Sequence, residues 1–295
     1  MKKPSYLILL LFIFFSNNIL SQKSHFSVKE SIKYKDQHKT TNILSIYSTN
    51  NNLNVVTRKS KHNLIFETFN NEAVGQKVRS IKLSKKETFV GDIFHNNKLQ
   101  VFMVESPSKT KRILNCYTYN IDSNSYKKVT LLEKEVKKKS ALFSGQNKRQ
   151  TNFSISPDNK FIAIATDNIK KNSNSYDIHV FDSETLTLNY HKNYFNNKDK
   201  YYQSTDMIID NNGTVYTIGK EFKKGKSERK KSKANYSYII VKINKKAIQK
   251  SIIELNEDEY IKSLSMTFYK DQIRLIGYYS KDKVFGVKGV SNFYI

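Results

Sequence analysis

The chain has 295 residues, a formal net charge of +25 and a single cysteine. One cysteine excludes an internal disulfide framework, so a hydrophobic core must stabilise the fold, and a chain of this length can bury one. The charge excess is mostly lysine, together with many asparagines and isoleucines, which is typical of an AT-rich genome. Because arginine is scarce, nucleic acid is not expected as a partner, whereas electrostatic contact with an anionic surface stays open.

Residues 1–21 have the three parts of a secretory signal peptide. Lys2 and Lys3 come first, residues 6–15 form an apolar run, and residues 19–21 (Ile-Leu-Ser) precede a cleavage site before Gln22. The apolar run is short for a membrane span, and an uncleaved anchor is the alternative. We therefore expect residues 22–295 to be secreted or extracytoplasmic, in the periplasm or at the outer membrane surface, with no later transmembrane segment.

Five similar units follow in residues 43–295. Each begins with two apolar runs joined by a turn rich in Asn, Asp or Gly, which is the usual pattern of a β-hairpin. The paired runs are residues 43–47 and 53–56, 89–94 and 99–104, 153–155 and 161–165, 207–209 and 215–219, and 264–268 and 273–278.

An aromatic-rich third strand is predicted in every unit, and a more polar fourth strand in the first four units. The third strands are residues 63–69, 112–119, 176–181, 236–243 and 287–295, and the fourth strands are residues 77–83, 126–132, 186–190 and 248–255. Four antiparallel strands joined by turns form one blade of a β-propeller. The sequence therefore predicts an all-β propeller of about five four-stranded antiparallel blades.

The third unit resembles a known family of propellers. Residues 156–160 read Ser-Pro-Asp-Asn-Lys, and residues 176–182 read Tyr-Asp-Ile-His-Val-Phe-Asp. This pattern resembles the blades of bacterial WD40-like and TolB-like β-propellers, and the leader ending in Leu-Ser-Gln at residues 20–22 resembles that of secreted Bacteroidetes propellers. The resemblance implies the fold and export but no activity, because propellers host binding modules and enzymes alike.

The fifth unit shows no fourth strand before Ile295. Phe26, Val28, Ile32 and Tyr34 recur at strand period, so this segment could pair with the last unit and close the ring. The alternative is that the chain is the N-terminal propeller fragment of a larger secreted protein.

Two stretches break the repeat. Residues 133–142, rich in Glu and Lys, are predicted to form a short surface helix between the second and third units. Residues 220–233 carry eight basic residues and no aliphatic run, which predicts an exposed loop. That loop is either simply solvated or an electrostatic tether to an acidic surface.

The sequence contains no motif for a catalytic nucleophile, a cofactor or a metal. Its six histidines form no i,i+2 or i,i+4 pair, no Gly-x-Ser-x-Gly elbow occurs, and its nine glycines form no phosphate loop. His179 alternates with apolar residues and is predicted to make a local polar contact. Cys116 lies in an apolar run and is predicted to be a small buried hydrophobe. We expect no cofactor and no metal site.

Asp92 and Asp206 are the weak candidates for site residues. Both lie in first strands, which line the channel of a propeller, among apolar or hydroxyl neighbours. Glycoside hydrolysis needs two carboxylates that flank the scissile bond, so an enzyme that acts on glycans through channel carboxylates is one hypothesis. The function that we favour is a non-catalytic binding or scaffold module for an unknown protein or glycan.

Overall fold

The computed structural model describes residues 42–84, 86–108, 110–135, 153–167, 175–195, 201–222, 236–253, 260–270, 272–280 and 292–294. Across these ranges we find no helix that is long and apolar enough to cross a bilayer. The strands in these ranges form five antiparallel sheets, which we call blades 1 to 5 in chain order.

Blades 1 to 4 contain four strands each, and the described part of blade 5 contains three. Blade 1 comprises β1 (Asn42–Ser48), β2 (Asn54–Lys59), β3 (Asn63–Phe69) and β4 (Gly75–Lys82), and blade 2 comprises β5 (Glu87–His95), β6 (Lys98–Glu105), β7 (Lys111–Asn120) and β8 (Ser125–Glu135). Blade 3 comprises β9 (Phe153–Ile155), β10 (Phe161–Asp167), β11 (Ser175–Asp182) and β12 (Leu188–Phe195). Blade 4 comprises β13 (Tyr201–Ile209), β14 (Val215–Phe222), β15 (Tyr236–Ile243) and β16 (Ile248–Ile253), and blade 5 comprises β17 (Tyr260–Tyr269), β18 (Gln272–Ser280) and β19 (Asn292–Tyr294).

Side-chain caps fix the turn between the first and second strands. Thr49 Oγ1 accepts hydrogen bonds from the backbone N–H groups two and four residues later, and Asp210 Oδ1 does the same in blade 4. Blade 2 instead turns through Asn96 and Asn97, whose φ angles of 50° and 55° suit a two-residue hairpin turn. In these three blades Thr, Asn or Asp thus ends the first strand at a defined residue, because it holds the turn backbone directly.

The hydrophobic core lies between the blades. In β6, Leu99, Val101 and Met103 pack towards blade 1, whereas Phe102 and Val104 pack towards blade 3. Successive side chains of a strand point to opposite faces, so a strand buried on both faces has a continuous apolar sequence. Complete burial of each of these side chains contributes about 1.5–3 kcal/mol.

Four apolar seams of this kind join the blades in order, 1 to 2, 2 to 3, 3 to 4 and 4 to 5. The first strands also contact one another in the same order, from β1 to β5, β9, β13 and β17. The first strands therefore lie innermost and the fourth strands outermost. The fold is a β-propeller of five blades, as the sequence predicted.

The predicted strand positions agree closely with the structure, but two predictions are corrected. Residues 133–135 of the predicted helix belong to β8, where Leu131 and Leu132 pack into the seam between blades 2 and 3 and extend the strand. Residues 220–222 of the predicted loop belong to β14, and Glu221 and Phe222 are buried. The rest of both stretches, the leader and residues 26–34 lie outside the described residues, as does most of the predicted strand 287–295.

Candidate functional site

Asp92 lies in β5 at the seam between blades 1 and 2. Its neighbours Gly91 and Ile93 face blade 3, so Asp92 and Phe94 face blade 1, where Phe94 stacks on Tyr47 with ring centroids 5.2 Å apart. Burial raises the pKa of Asp92, although hydrogen bonding with Ser45 and Tyr47 acts in the opposite direction. Burial, with a contribution from Asp92, also raises the pKa of Tyr47 to about 12.

The oxygens around Asp92 are poorly satisfied. Asp92 Oδ2, Ser45 Oγ and Thr57 Oγ1 are buried, and within the described chain none completes a hydrogen bond of normal geometry. Ser45 and Tyr47 nevertheless lie close enough to Asp92 to influence its pKa. The seam therefore contains a partly buried carboxyl group of raised pKa beside the hydroxyl groups of Ser45, Tyr47 and Thr57.

Asp206 has a structural environment. Its Oδ1 accepts a hydrogen bond of 2.9 Å from the backbone N–H of Met207, and its Oδ2 accepts one of 2.7 Å from the backbone N–H of Met266 in β17. The bond from Met266 ties blade 4 to blade 5. Asp92 and Asp206 are thus held at different seams, by blades 1 and 2 and by blades 4 and 5 respectively. Their proposed role as site residues stays a prediction.

A polar cleft of about 260 Å³ opens where turns of blades 2 and 3 meet. It is lined by the β5–β6 turn, the β9–β10 turn and the β11–β12 turn, together with Ile93 and Gln100. Gln100 Nε2 donates a hydrogen bond of 2.8 Å to the carbonyl oxygen of Ser183, which joins the two blades beneath the cleft. Binding clefts are commonly formed in this way, by loops held on a rigid scaffold.

The cleft presents charges of both signs. Asp158 accepts hydrogen bonds from Ser156 and Lys160, and Asp182 accepts them from Thr185, so these two carboxylates stabilise the turns. Those turn bonds also lower the pKa of Asp182. The ammonium group of Lys160 lies 3.2 Å from Asp158 Oδ2. The other three charged or titratable groups are exposed and, across the described residues, form neither side-chain hydrogen bonds nor ion pairs; they are His95, Lys98 and Glu184.

A second cluster of titratable groups lies in blade 3. His179 and His191 pair across β11 and β12, and their rings stack with centroids 4.5 Å apart. Asp177 accepts a hydrogen bond from Asn193 and pairs with Lys134 of blade 2 at 2.7 Å. Burial lowers the pKa of His179 to about 4, and its Nδ1 has no hydrogen-bond partner in the described residues. Nδ1 therefore does not make the predicted local polar contact, which stays a prediction for the rest of the side chain.

Burial and contacts show the environment of two further residues that the sequence raised. Cys116 is fully buried in the seam between blades 2 and 3, and burial raises its pKa to about 12, which confirms the prediction of a small buried hydrophobe. Lys220 donates a hydrogen bond of 2.8 Å to the carbonyl oxygen of Lys262 and lies 4.4 Å from the Tyr236 ring centroid, so it helps to join blades 4 and 5. Among the described residues, no group of three or more His, Cys, Asp or Glu side chains is arranged to hold a metal ion.

Sequence reasoning did not find the cleft or the histidine pair. The sequence did contain a sign of the histidine pair. His179 and His191 are equidistant from Thr185 in the middle of a predicted turn, so a hairpin there places them opposite each other. The cleft had none, because its turns come from different blades and are brought together only by the packing of those blades.

No family model matches this chain, and a search of curated proteins finds no match. Solved structures with a similar fold include the Dos1 propeller, at 10% identity and a TM-score of 0.40, covering 80% of this chain and 64% of that chain. The β-propeller domain of the Trilobed protease from Pyrococcus furiosus aligns at 11% identity and a TM-score of 0.32, covering 81% and 82%. A prolyl endopeptidase aligns at 8% identity and a TM-score of 0.39, covering 83% of this chain but only 34% of its own length, so this chain spans about a third of that enzyme.

Proposed function

We propose that this protein is an exported, non-catalytic propeller module that binds a polar protein segment or glycan in the cleft between blades 2 and 3. The observation that carries the proposal is the cleft itself, a concavity of about 260 Å³ formed by turns of two blades. Export is supported by the leader-like residues 1–21.

The chemistry of the cleft favours a ligand with both hydrogen-bond donors and acceptors. Lys98 supplies a cation, Glu184 supplies an anion, and His95 can donate or accept a hydrogen bond. Two of the carboxylates are already used by the turns, so the scaffold is held in place before a ligand arrives. A preorganised polar site of this kind binds by replacing water with matched partners.

Glycan and peptide arrays probed with the purified exported chain test this proposal, followed by calorimetric titration of the hits. Lys98→Ala and Glu184→Ala should each weaken binding about tenfold or more, since a hydrogen bond to a charged group is worth about 1.5–3 kcal/mol. Lys245→Ala and Glu72→Ala alter exposed residues in the turns of other blades and serve as matched controls. Binding that is unchanged in both cleft variants, or the absence of any hit, would overturn the proposal.

A glycan-cleaving enzyme is the second candidate function, and the raised pKa of Asp92 favours it. Burial raises the pKa of Asp92, and a raised pKa is the direction expected of a carboxyl group that acts as a general acid. The reaction also needs a second carboxylate near the scissile bond. Hydrolysis of a panel of glycosides that disappears in Asp92→Asn would support this function, and a panel with no hydrolysis by the unaltered chain would exclude it for those substrates.

A further inference from the structure

The histidine pair of blade 3 lies in the outer half of the seam between blades 2 and 3. Asp177, His179 and Phe181 alternate along β11, whose pairing with β10 is unbroken, so their side chains point to one face of blade 3. That face is turned towards blade 2, because Phe181 packs with core side chains of blade 2 and Asp177 pairs with Lys134 of β8. His179 therefore lies between two contacts that hold the blades together.

The closed seam disfavours a charge on His179. Only 6% of this residue is exposed, and its Nδ1 atom is buried with no hydrogen-bond partner in the described chain. A protonated imidazole has two N–H donors, so charging the ring would bury a donor that has no acceptor. Burying a charged group without partners is costly. Protonation of this ring is therefore favourable only where water or a new partner can reach it.

The neighbouring charges do not offset that cost. Across the described residues, the titratable groups that act on His179 are His191 of β12, Asp177 of β11 and Lys134 of β8. His191 stacks on His179 with ring centroids 4.5 Å apart, so two protonated rings would repel each other. Asp177 already has partners on both oxygens, because Oδ1 lies 2.6 Å from Asn193 and 3.3 Å from His191, and Oδ2 lies 2.7 Å from Lys134.

We propose that this half-seam is an acid-sensitive latch, in which protonation of His179 and His191 separates β8 of blade 2 from β11 and β12 of blade 3. The two blades are separate hydrogen-bonded sheets, so the Lys134–Asp177 pair can break while each sheet stays intact. The ligand cleft is formed by the same two blades, so opening would also disturb the cleft. That consequence alone rests on the proposed function, and the latch is tested without a ligand.

The single cysteine of the chain reports on the latch, because Cys116 is fully buried in the same seam. Its thiol in the purified full chain reacts with 4,4′-dithiodipyridine to form a mixed disulfide and release 4-thiopyridone, which is followed by absorbance. At each pH the rate is divided by that of the urea-unfolded chain. Because the pKa of His179 is about 4 in the closed seam and 6.5 when free, the thiol should be exposed about twentyfold more often at pH 5 than at pH 7.5.

Histidine variants assign this increase. His179→Phe cannot be protonated and should lose almost all of it, and His191→Phe should lose part of it. His62→Phe makes the same exchange in blade 1 and should keep the full increase. A local opening exposes little surface, so urea below the unfolding transition should hardly change the rate at pH 5.

Lys134→Met provides a second measurement that changes no histidine. It removes the cation that joins β8 to Asp177, so it should speed the labelling of Cys116 already at pH 7.5. The proposal is overturned by a labelling rate that does not rise in acid, by a full rise in His179→Phe, or by a rate with the urea dependence of global unfolding. Unchanged labelling of Lys134→Met at pH 7.5 would equally reject the latch.

Discussion

At the scale of single residues, burial and partners separate side chains that look equivalent in the sequence. Asp92 and Asp206 both lie in innermost strands, but Asp206 bonds two backbone N–H groups, whereas Asp92 is desolvated beside hydroxyls. The first arrangement is a fixed brace between blades. The second leaves a partly buried carboxyl group beside hydroxyl groups, which is why the enzyme hypothesis involves Asp92.

The buried His179 side chain is expected to lower the free energy of unfolding in acid. Folding lowers its pKa from 6.5 to about 4, because the buried imidazole resists charging and faces His191 and Lys134, while Asp177 acts in the opposite direction. The unfolded chain therefore binds the proton more readily below pH 6.5. The stability that this residue supplies is complete above pH 6.5 and is lost as the pH falls towards 4, by at most about 3 kcal/mol.

Urea denaturation of the unaltered chain and His179→Phe between pH 7.5 and pH 4 measures this effect. The variant keeps an aromatic ring but cannot be protonated, so its stability should fall less over this range. His95→Phe changes an exposed histidine and should retain the slope of the unaltered chain. Identical slopes for His179→Phe and the unaltered chain would contradict the assignment.

At the scale of strands and turns, bulges explain where the sequence pattern loses accuracy. The register shifts in four of the first strands, at Leu44, Val90, Thr205 and Lys262. One extra residue moves the following side chains to the opposite face, so the alternation breaks in the middle of the strand. For this reason the apolar run that marks β13 in the sequence begins only at Met207, although the strand begins at Tyr201.

The turn cap at Asp210 predicts a measurable contribution to stability. Its Oδ1 accepts hydrogen bonds of 2.9 Å from the N–H of Asn212 and 2.8 Å from the N–H of Thr214. Asp210→Ala should lower the free energy of unfolding by about 1–2 kcal/mol, because both N–H groups lose their partner. Asn212→Ala in the same turn should cost much less. Equal losses in chemical denaturation of the two variants would show that the cap contributes nothing specific.

At Gly91, the seam between blades 2 and 3 leaves no room for a larger side chain. A Cβ atom at this position would lie 2.5 Å from Cε1 of Phe153, closer than real contacts allow. Gly91→Ala should therefore destabilise the fold by about 1–3 kcal/mol, as overpacked cores do. Gly75→Ala is the control, because its Cβ would lie at an ordinary 3.7 Å from Phe69. Phe153→Leu should recover part of the loss in a double-mutant cycle, and simple additivity would argue against this contact.

At the scale of the whole molecule, each blade is stabilised mainly by its neighbours. Blade 1 is the first blade of the chain, so one of its apolar faces has no preceding blade to pack against it. On that face a groove of about 350 Å³ is lined by Val56 and Phe69 and by Ile43 and Ile46, whose side chains are each 61% exposed. Exposed apolar residues on a sheet face favour a further contact there.

The predicted closure of the ring can be measured by hydrogen exchange on the purified chain. If residues 26–34 pair with the last blade, their amides and those of residues 287–295 should be protected together, because both belong to the same strand pairing. Ile43→Asp, on the apolar face of blade 1, should reduce protection at both segments. Rapid exchange of both segments in the unaltered chain would rule out closure.

The sequence by itself determined the all-β class, the five repeated units and most strand positions. Alternating and continuous apolar runs, with Asn and Asp turns between them, are local features and can be read without tertiary structure. β3 and β15 were predicted with the bounds that the structure shows, residues 63–69 and 236–243. The burial of Cys116 followed from the same local pattern.

Only the tertiary structure decided which groups meet. The packing of one blade against another decides three features of the molecule. They are the distinct environments of Asp92 and Asp206, the cleft that contains Lys98 and Glu184, and the burial of the Ser45 and Thr57 side-chain oxygens. These contacts join residues that are up to about ninety positions apart in the chain. A local sequence pattern does not predict contacts between residues so far apart in the chain. Those contacts depend on how the blades pack, through side chains on opposite faces of each strand.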